Sequence, residues 1–379
     1  MSRAWLARWL GALMAGGGVL SSGCLPTDSL LSPLNVAEGW QAEYVAAGST
    51  VVSALAATDD GRVFYAEKNT GRIRVVKDGR VLDTPFATVP VNYAGDRGLL
   101  GLALHPRFAD NGRLYVFYTR SDVGQATADP RAVVDHRIVY FQADGDLAAG
   151  GETFVASIAA GGTHRIGGRI AFADDRTLWV AMGDGETPDA AQDPESRYGK
   201  VLRYHEDGTI PDDNAYDDSP VYALGFRDPR GLAIDPDSGS AFVVERSQGG
   251  THEVNRIIRG RNYGWPAVTG IADTADELLF VAATPTYVDP LTVTDRQIVG
   301  ASFNPSTRYG TASWLQLFYG VADAGRVFRL ELTAERTGAV RTRTFATGLP
   351  TPITDVAFTP AGTLYIAGGG AVLRVVPFP

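Results

Sequence analysis

The chain has 379 residues, a formal net charge of -9 and a pI near 5.1. An acidic chain without a tract of Lys or Arg argues against nucleic acid and against an anionic membrane surface as partners. The single cysteine excludes an internal disulfide. Because the composition is uniform and no linker divides the chain beyond its N-terminal segment, we expect one large domain.

The N-terminal segment is typical of an export signal. Arg3 and Arg8 precede an apolar run from Trp9 to Leu20, which is shorter than the about 20 residues that span a bilayer. We interpret residues 1–23 as a signal peptide. Cys24 stands in a setting that resembles the lipidation site of bacterial lipoproteins, and residues 24–37 are interpreted as its tether. This predicts a periplasmic or outer-membrane lipoprotein, with plain secretion as the alternative.

A unit of turn and strand recurs through the remaining chain. Five clear copies begin near residues 59, 110, 174, 235 and 359, and a weaker copy begins near 313. Each is followed by a further apolar run: Gly71 to Val76, His136 to Gln142, Gly199 to Tyr204, Asn255 to Ile258, Gly325 to Leu330 and Ala371 to Val376. Helical periodicity is hard to find after residue 38.

Repeated hairpins of this kind predict an all-β fold. Asp-Gly and Asn-Gly turns that join β-branched and aromatic runs are hairpin signals, and four-stranded units repeated around an axis form a propeller. We therefore expect a six-bladed β-propeller with four-stranded antiparallel blades over residues 38–379, with five or seven blades as the alternatives. The last strand, Ala371 to Val376, is expected to pair with Gln41 to Ala47 and close the ring.

One histidine lies at the mouth of a predicted hairpin. His164 sits in a glycine-flanked turn, followed by a strand from Gly168 to Phe172, a turn at Asp174 and a second strand that stops at Gly183. Imidazole has an ordinary pKa near neutrality, and turns on a rigid sheet often display catalytic groups. His164 is thus a candidate proton carrier, and the alternative is a solvated loop residue.

Three groups of motifs go beyond architecture. They are Asp96 to Phe108, the His164 stretch continued to Arg203, and Tyr222 to Ala233 with Glu253-Val-Asn-Arg-Ile and Asn262-Tyr-Gly-Trp-Pro. Together they resemble the glucose/sorbosone dehydrogenase family over residues 40–376. That family includes sugar dehydrogenases that depend on pyrroloquinoline quinone (PQQ) as well as propellers like the hedgehog-interacting protein. The resemblance implies oxidation of an aldose to its lactone with PQQ and Ca²⁺.

The same resemblance assigns roles to individual residues. His164 falls on the general base that removes the anomeric hydroxyl proton, and Arg227 falls on the residue that faces the quinone carbonyls. Asp96 and Asp228 are expected at the cofactor, and relatives often carry Asn at the latter position. The alternative for Asp228 is a turn cap before Pro229.

Calcium is implied at two places. The carbonyls of Ser247 and Gln248 match the loop that holds Ca²⁺ against the quinone in relatives. Glu253 and the carbonyl of Tyr263 match a second, structural calcium site. The alternative for Glu253 is an ordinary surface carboxylate.

The family's three basic contacts to the PQQ carboxylates are replaced here. Relatives have a Lys in the fifth blade and an Arg-x-Arg pair before the last blade, where this chain has Asp323, Pro352 and Thr354. Losing three hydrogen bonds to charged groups costs roughly 4 to 9 kcal/mol. Arg308, Arg326 and Arg329 are candidate substitutes.

Two other features have competing interpretations. An acidic loop, Gly183 to Glu186 with Asp189 and Asp193, could hold a cation or form a wall of the substrate cleft. Trp265 could stack on a sugar, although a core or rim aromatic is favoured.

Two functions follow from these features. The leading hypothesis is a PQQ- and calcium-dependent aldose dehydrogenase that passes electrons to an external acceptor, since no haem-attachment motif is present. The alternative is a degenerate, non-catalytic propeller lipoprotein that binds carbohydrate or protein at the cell surface. Retention of His164 and Arg227 favours the enzyme, whereas Asp323, Pro352 and Thr354 favour the binding protein.

Overall fold

The computed structural model describes residues 34–48 and 50–378. The predicted signal peptide, the lipidation site at Cys24 and most of the predicted tether lie outside the described residues. In the described part of the chain, no helix has the length and apolar character needed to cross a membrane.

The described chain consists mainly of short strands. In order, they are β1 (Asn35–Val36), β2 (Trp40–Ala47), β3 (Val52–Ala57), β4 (Val63–Glu67), β5 (Arg72–Lys77), β6 (Arg80–Val81), β7 (Ala87–Thr88), β8 (Leu99–Leu104), β9 (Arg113–Thr119), β10 (Asp135–Asp144), β11 (Leu147–Ala148), β12 (Thr153–Ala159), β13 (Gly167–Phe172), β14 (Thr177–Met182), β15 (Lys200–His205), β16 (Val221–Leu224), β17 (Pro229–Ile234), β18 (Ala241–Glu245), β19 (His252–Arg256), β20 (Thr292–Thr294), β21 (Ile298–Phe303), β22 (Leu317–Val321), β23 (Arg326–Leu332), β24 (Ala339–Thr347), β25 (Ile353–Phe358), β26 (Leu364–Gly368) and β27 (Ala371–Pro377). Two α-helices, α1 (Phe108–Asn111) and α2 (Ala275–Ala283), and three single 3₁₀ turns (Pro188–Ala191, Gln248–Gly250 and Thr311–Ser313) lie between them.

Within residues 34–48 and 50–378, these strands form six antiparallel sheets, which confirms the predicted six-bladed propeller. Blades 1 to 6 begin at β3, β8, β13, β17, β21 and β25. In blades 1 and 2 the outermost position is shared by two short strands, because β6 and β7 both pair with β5, and β11 and β12 both pair with β10. The first strand of each blade contacts the first strand of the next, and β25 contacts β3, so six strands surround the axis.

The ring closes as the sequence predicts. Strand β2 pairs with β27 in register from Trp40 opposite Pro377 to Ala47 opposite Ala371. The N-terminal strand thus becomes the outer strand of the last blade, and covering that edge leaves fewer unpaired backbone groups exposed to other chains.

The apolar core lies between the blades. Each pair of neighbouring blades shares one cluster of buried side chains; Phe64 and Tyr118, for example, belong to the cluster between blades 1 and 2. Because a blade is covered on both faces, its strands carry apolar residues nearly continuously rather than in alternation, as in β14, where every residue is buried.

Three local predictions require correction. Asn35–Val36, placed in the tether, pairs with β24 on the outside of blade 5. The strand expected at Asn255 to Ile258 starts earlier, at His252. Helix α2 was not expected; it begins with a capping box in which Thr274 and Glu277 satisfy each other's backbone N–H.

The propeller has two faces that the loops define. We call the end at which the first strand of each blade begins the upper face, and the opposite end the lower face. The loops before β8, β13 and β17 carry Asp96, His164 and Arg227, so all three residues lie at the upper face.

Candidate functional site

His164 lies in the loop immediately before β13, and its side chain is 58% exposed. Its Nδ1 atom is 3.0 Å from Thr163 Oγ1 and 3.4 Å from Glu186 Oε1. The ring packs on Gly95, where a Cβ would come within 3.1 Å of Nε2, so a side chain at that position would displace the imidazole. In the described part of the chain Nε2 has no hydrogen-bond partner, which leaves it open to a ligand.

Glu186 orients the histidine from the neighbouring loop. Its Oε2 atom accepts the backbone N–H groups of Thr163 at 2.6 Å and His164 at 3.1 Å. Burial raises the pKa of Glu186, but these two N–H donors outweigh burial and hold the pKa below its usual value. An ionised Glu186 beside Nδ1 favours a proton on Nδ1 and leaves Nε2 as the basic atom. The sequence placed Glu186 in an acidic loop without linking it to His164.

Arg227 lies in the loop immediately before β17 and has unused hydrogen-bond donors. Its guanidinium carbon is 5.3 Å from the centre of the Trp265 ring, and Nη1 donates to the carbonyl of Arg246 at 3.3 Å. Its Nε atom is buried and has no partner among residues 34–48 and 50–378, where Arg227 also forms no ion pair. Burial and the nearby Arg165 lower the pKa of Arg227. An anionic ligand at this place would satisfy it.

Trp265 is a core aromatic, as the sequence favoured, and is only 8% exposed. Its Nε1 donates to Asp184 Oδ2 at 2.9 Å, while Arg165 Nε lies 2.7 Å from Asp184 Oδ1. Burial raises the pKa of Asp184 despite these contacts. The acidic loop is therefore organised around protein partners, and the described residues contain no cluster of three potential acidic, His or Cys metal ligands.

Asp228 is fully buried behind Arg227. Its carboxylate lies 2.8 Å from Arg230 Nε and 3.0 Å from the Arg246 guanidinium. Arg230 also contacts Asp96 Oδ2 at 2.8 Å, and the same oxygen accepts the backbone N–H of Arg165 at 2.8 Å. Both aspartates therefore belong to one network of ion pairs that supports the His164 loop. This network, rather than the turn cap considered for Asp228, accounts for its burial.

A cavity of 220 Å³ opens on the axis at the upper face. Four basic residues and one carboxylate, Asp96, contribute to its lining; the basic residues are Lys68, Arg169, Arg230 and Arg246. Pro352 and Thr354 line the same cavity, so the two positions at which relatives carry the Arg-x-Arg pair do face it. The lining therefore keeps a positive character, although the basic groups come from other blades.

Asp323 and the three arginines considered as substitutes do not line this cavity. Asp323 is exposed, and its charge raises the pKa of His252, which burial lowers more strongly. Arg329 bonds to Glu331 at 2.6 Å, and Arg308 lies in the β21–β22 loop of the lower face. Neither these two residues nor Arg326 line the 220 Å³ cavity, so the substitution expected from the sequence is not made by them.

The loop predicted to hold Ca²⁺ has an exposed Gln248 and a buried Ser247. The carbonyl of Gln248 accepts the Thr251 hydroxyl at 3.0 Å. The Ser247 hydroxyl donates to Glu253 Oε1 at 3.3 Å. Backbone carbonyls can still serve as calcium ligands when they accept one hydrogen bond, since each has two lone pairs.

Glu253 is a buried carboxylate rather than the surface group considered as its alternative. It accepts N–H groups from Gly270 at 2.7 Å and Asn255 at 3.1 Å, and it lies directly opposite buried Glu245 on β18. Burial raises the pKa of Glu253 to about 7, and burial together with the neighbouring Glu253 also raises the pKa of Glu245 well above its usual value. In the described chain neither carboxyl has a Lys or Arg partner, so a cation would relieve their repulsion.

Tyr263, predicted as the second ligand of this calcium, is held by other groups. Its ring stacks on Phe226 with centroids 4.8 Å apart, and its hydroxyl donates to the carbonyl of Arg256 at 2.6 Å. The side chain of Tyr263 thus has a structural role, and the assignment of its carbonyl to a metal stays a prediction.

The fold and site define a propeller whose upper face presents an exposed, carboxylate-oriented histidine beside a cavity lined by basic side chains. The family model for glucose / sorbosone dehydrogenase matches residues 51–374. The chain belongs to this family, as the motifs predict.

Individual relatives agree with this assignment. The chain is 32% identical to quinoprotein glucose dehydrogenase B of Acinetobacter calcoaceticus over 56% of its length and 50% of that protein. It is 29% identical to an Escherichia coli aldose sugar dehydrogenase, over 57% of this chain and 59% of that protein. These alignments thus span between half and three fifths of the curated relatives. The PQQ-bound aldose sugar dehydrogenase of Streptomyces coelicolor superposes with a TM-score of 0.71 at 25% identity, covering 90% of this chain and 100% of that one.

Proposed function

We propose that this protein is a PQQ- and calcium-dependent dehydrogenase that oxidises an aldose to its lactone and passes the electrons to an external acceptor. The observation that carries the proposal is His164, whose Nδ1 lies 3.4 Å from Glu186 Oε1 while Nε2 remains without a partner in the described chain, on the same face of the propeller as the basic cavity. Family membership supports the same reaction class.

The residues present fit an anionic cofactor. Arg227 has a buried Nε without a partner in the described residues, and four basic groups against one carboxylate line the 220 Å³ cavity. A tricarboxylate such as PQQ would supply the missing acceptors. When bound, PQQ would accept the hydride that leaves the anomeric carbon.

The chain's own residues would handle the proton. Nε2 of His164 would take the hydrogen of the anomeric hydroxyl as the hydride leaves its carbon, so that the product is a neutral lactone. The carboxylate of Glu186, in contact with Nδ1, would stabilise the imidazolium that forms. Arg227 would offer its free donors to negative charge that develops on the oxidant.

Calcium would contribute at the two predicted places. The carbonyls of Ser247 and Gln248 would hold one ion next to the cofactor. Glu253, with the carbonyl of Tyr263, would hold the structural ion, and the lack of a basic partner for Glu245 and Glu253 in the described residues supports that assignment.

Export and anchoring belong to the same proposal. Residues 1–23 would direct the chain across the inner membrane and Cys24 would carry lipid, which places the propeller at the periplasmic or outer-membrane side. A small-molecule sugar and an external electron acceptor would then be its partners.

The second candidate is a binding protein without turnover, and the exposed Asp323 together with Pro352 and Thr354 favours it. Titration of the purified mature protein with PQQ and Ca²⁺, followed by quinone absorbance and by dye reduction with a panel of aldoses, separates the two. The enzyme requires saturable binding at micromolar PQQ and sugar-dependent dye reduction. Absence of PQQ binding under these conditions leaves only the binding protein.

A further inference from the structure

One basic residue of the upper cavity, Lys68, forms no ion pair in the described chain. Among the four basic lining residues, Arg169 lies 3.3 Å from Asp355, Arg230 contacts Asp96 and Asp228, and Arg246 contacts Asp228. Lys68 forms no ion pair within residues 34–48 and 50–378. Its ammonium donates to the carbonyl of Gly95 at 2.8 Å and to Asn69 Oδ1 at 3.4 Å, which are both neutral acceptors.

Lys68 is placed where it can act on a ligand that also meets His164. Gly95 accepts the Lys68 ammonium through its carbonyl and supports the imidazole of His164 through its Cα. The backbone fixes both groups, because Gly95 has φ +60 and a Cβ there would clash with the carbonyl of Thr163 at 2.6 Å. The same residue, Gly95, therefore fixes both the ammonium and the imidazole at the upper face.

Arg246 presents a second donor to the same cavity. Its Nε and Nη2 atoms both contact Asp228 at 3.0 Å, whereas Nη1 has no hydrogen bond in the described chain. The planar guanidinium of Arg246 thus contacts Asp228 through Nε and Nη2 and leaves Nη1 available for a ligand.

We propose that Lys68, assisted by Arg246, binds a carboxylate of the cofactor and takes over the role that basic residues at the positions of Asp323, Pro352 and Thr354 have in relatives. The inference rests on the proposed function, since it concerns the same cofactor. In this chain the positive charge that would meet the carboxylate comes from blades 1 and 4, whereas in relatives it comes from blades 5 and 6. Pro352 and Thr354 still line the cavity.

The charge balance supports this placement. Burial lowers the pKa of Lys68, while the nearby Asp96 raises it and Arg230 lowers it. A half-buried ammonium with only neutral acceptors is stabilised when an anion arrives, whereas the arginines of the cavity already have carboxylate partners. A carboxylate ligand would therefore gain more from Lys68 than from Arg169 or Arg230.

The test measures PQQ affinity directly, by quinone absorbance and calorimetry in the presence of Ca²⁺, for the wild type, Lys68→Met and Lys68→Arg. Loss of one hydrogen bond to a charged group corresponds to a roughly 10- to 150-fold weaker Kd for Lys68→Met. Lys68→Arg should keep most of the affinity. The matched control is Lys77→Met, because Lys77 belongs to the same blade but pairs with Asp146 at 2.8 Å outside the cavity, and it should leave Kd unchanged.

A second ligand shows whether Lys68 meets a carboxylate. The trimethyl ester of PQQ lacks the negative charges, so its affinity should be the same for the wild type and Lys68→Met. Equal loss for acid and ester, or unchanged affinity of Lys68→Met for PQQ, would overturn the inference while the dehydrogenase proposal stands. If the wild type binds no PQQ at all, the dehydrogenase proposal fails and the role of Lys68 fails with it. A melting temperature of Lys68→Met equal to that of the wild type excludes misfolding as the cause.

Discussion

The same six strands lead to a cavity at the upper face and to another at the lower face, which we call the upper and lower mouths, and the two differ in chemistry. The upper cavity, of 220 Å³, is lined by basic side chains and bordered by the ion pairs of Asp96 and Asp228. The lower cavity, of 410 Å³, is lined mainly by Ala, Gly, Leu, Ile, Phe and Pro. Arg169 lines both and pairs with Asp355 between them.

This difference shows where a propeller places function. The first strands of the blades carry mainly small or apolar residues, which lets them pack around the axis, although Arg169, Arg230 and Asp355 also lie on them. Loops at the upper ends of the blades supply further charged and polar groups. The loops before β8, β13 and β17 supply Asp96, His164 and Arg227. At the lower face, the turn at Asp174 between β13 and β14 borders a cavity that is lined mainly by apolar residues.

The largest expected effect is a loss of dehydrogenase activity that only a substitution at the upper mouth should cause. His164→Asn removes the atom proposed to take the proton and should lower kcat by about 10² to 10⁴. PQQ affinity should stay within about twofold, because His164 is not among the residues that line the basic cavity. Asp174→Asn, which changes an exposed residue of the lower mouth, should leave kcat unchanged. Turnover retained in His164→Asn would refute the base assignment.

A buried aspartate lies at each end of strand β17. Asp228 at the upper end and Asp235 just beyond the lower end are both fully buried, and Asp235 pairs with Arg336 at 3.2 Å. Removing one partner of a buried ion pair costs about 3 to 5 kcal/mol, so Asp228→Ala and Asp235→Ala should both lower the free energy of unfolding in urea.

Only the upper replacement should also change the site. Asp228→Ala removes the carboxylate partner of Arg246 and one of the two carboxylate partners of Arg230, and because both arginines line the cavity it should alter PQQ affinity, whereas Asp235→Ala should leave it unchanged. An equal change in affinity for both variants would show that the two ends are coupled and that the upper network has no special role.

A third prediction concerns acid sensitivity and two buried histidines. His136, at the upper end of β10, has Thr119 Oγ1 2.9 Å from Nδ1, and burial together with Arg97 lowers its pKa to about 3. His105, at the lower face, instead has Glu206 at 2.8 Å. Since the unfolded His136 takes up a proton near pH 6.5 and the folded one does not, stability should fall as the pH drops from about 6.5 towards 3.

His136 alone can change the free energy of unfolding by at most about 1.4 kcal/mol per pH unit. His136→Phe should remove that slope from a series of urea titrations, while His105→Phe should not. A wild-type stability that is flat between pH 6 and 4 would contradict the buried neutral state of His136.

The sequence predicted the architecture well because its signals are local. Each hairpin is specified by adjacent residues, such as the Asp-Gly turn before β4, and ring closure follows from the two terminal strands. Helix α2 was not predicted from the sequence, because none of its side chains is buried and it therefore has no apolar stripe. Its signal was the capping box of Thr274 and Glu277, which the sequence does contain.

The site was less predictable because its contacts are remote in the chain. Glu186 reaches His164 across 22 positions, and Lys68 meets Gly95 across 27. Nothing in the local pattern marks Lys68, since it follows a strand and resembles any surface lysine. The three replaced basic residues could be seen in the sequence, but only the fold shows which other cations share their cavity.

The smallest expected effect concerns the two buried carboxyls of blade 4. Glu245 and Glu253 face each other without a basic partner in the described chain, so Ca²⁺ should stabilise the protein by about 2.7 kcal/mol at 100 times its Kd. Glu253→Gln should lose this increment in calcium-dependent thermal unfolding.

The exposed Glu195 provides the control, because Glu195→Gln removes a carboxylate without touching the buried pair and should keep the full calcium response. If the calcium-free wild type were already as stable as the calcium-saturated one, the two carboxyls would have to share a proton instead. In that case Glu253→Gln should be neutral or stabilising, because it removes a charge that burial disfavours.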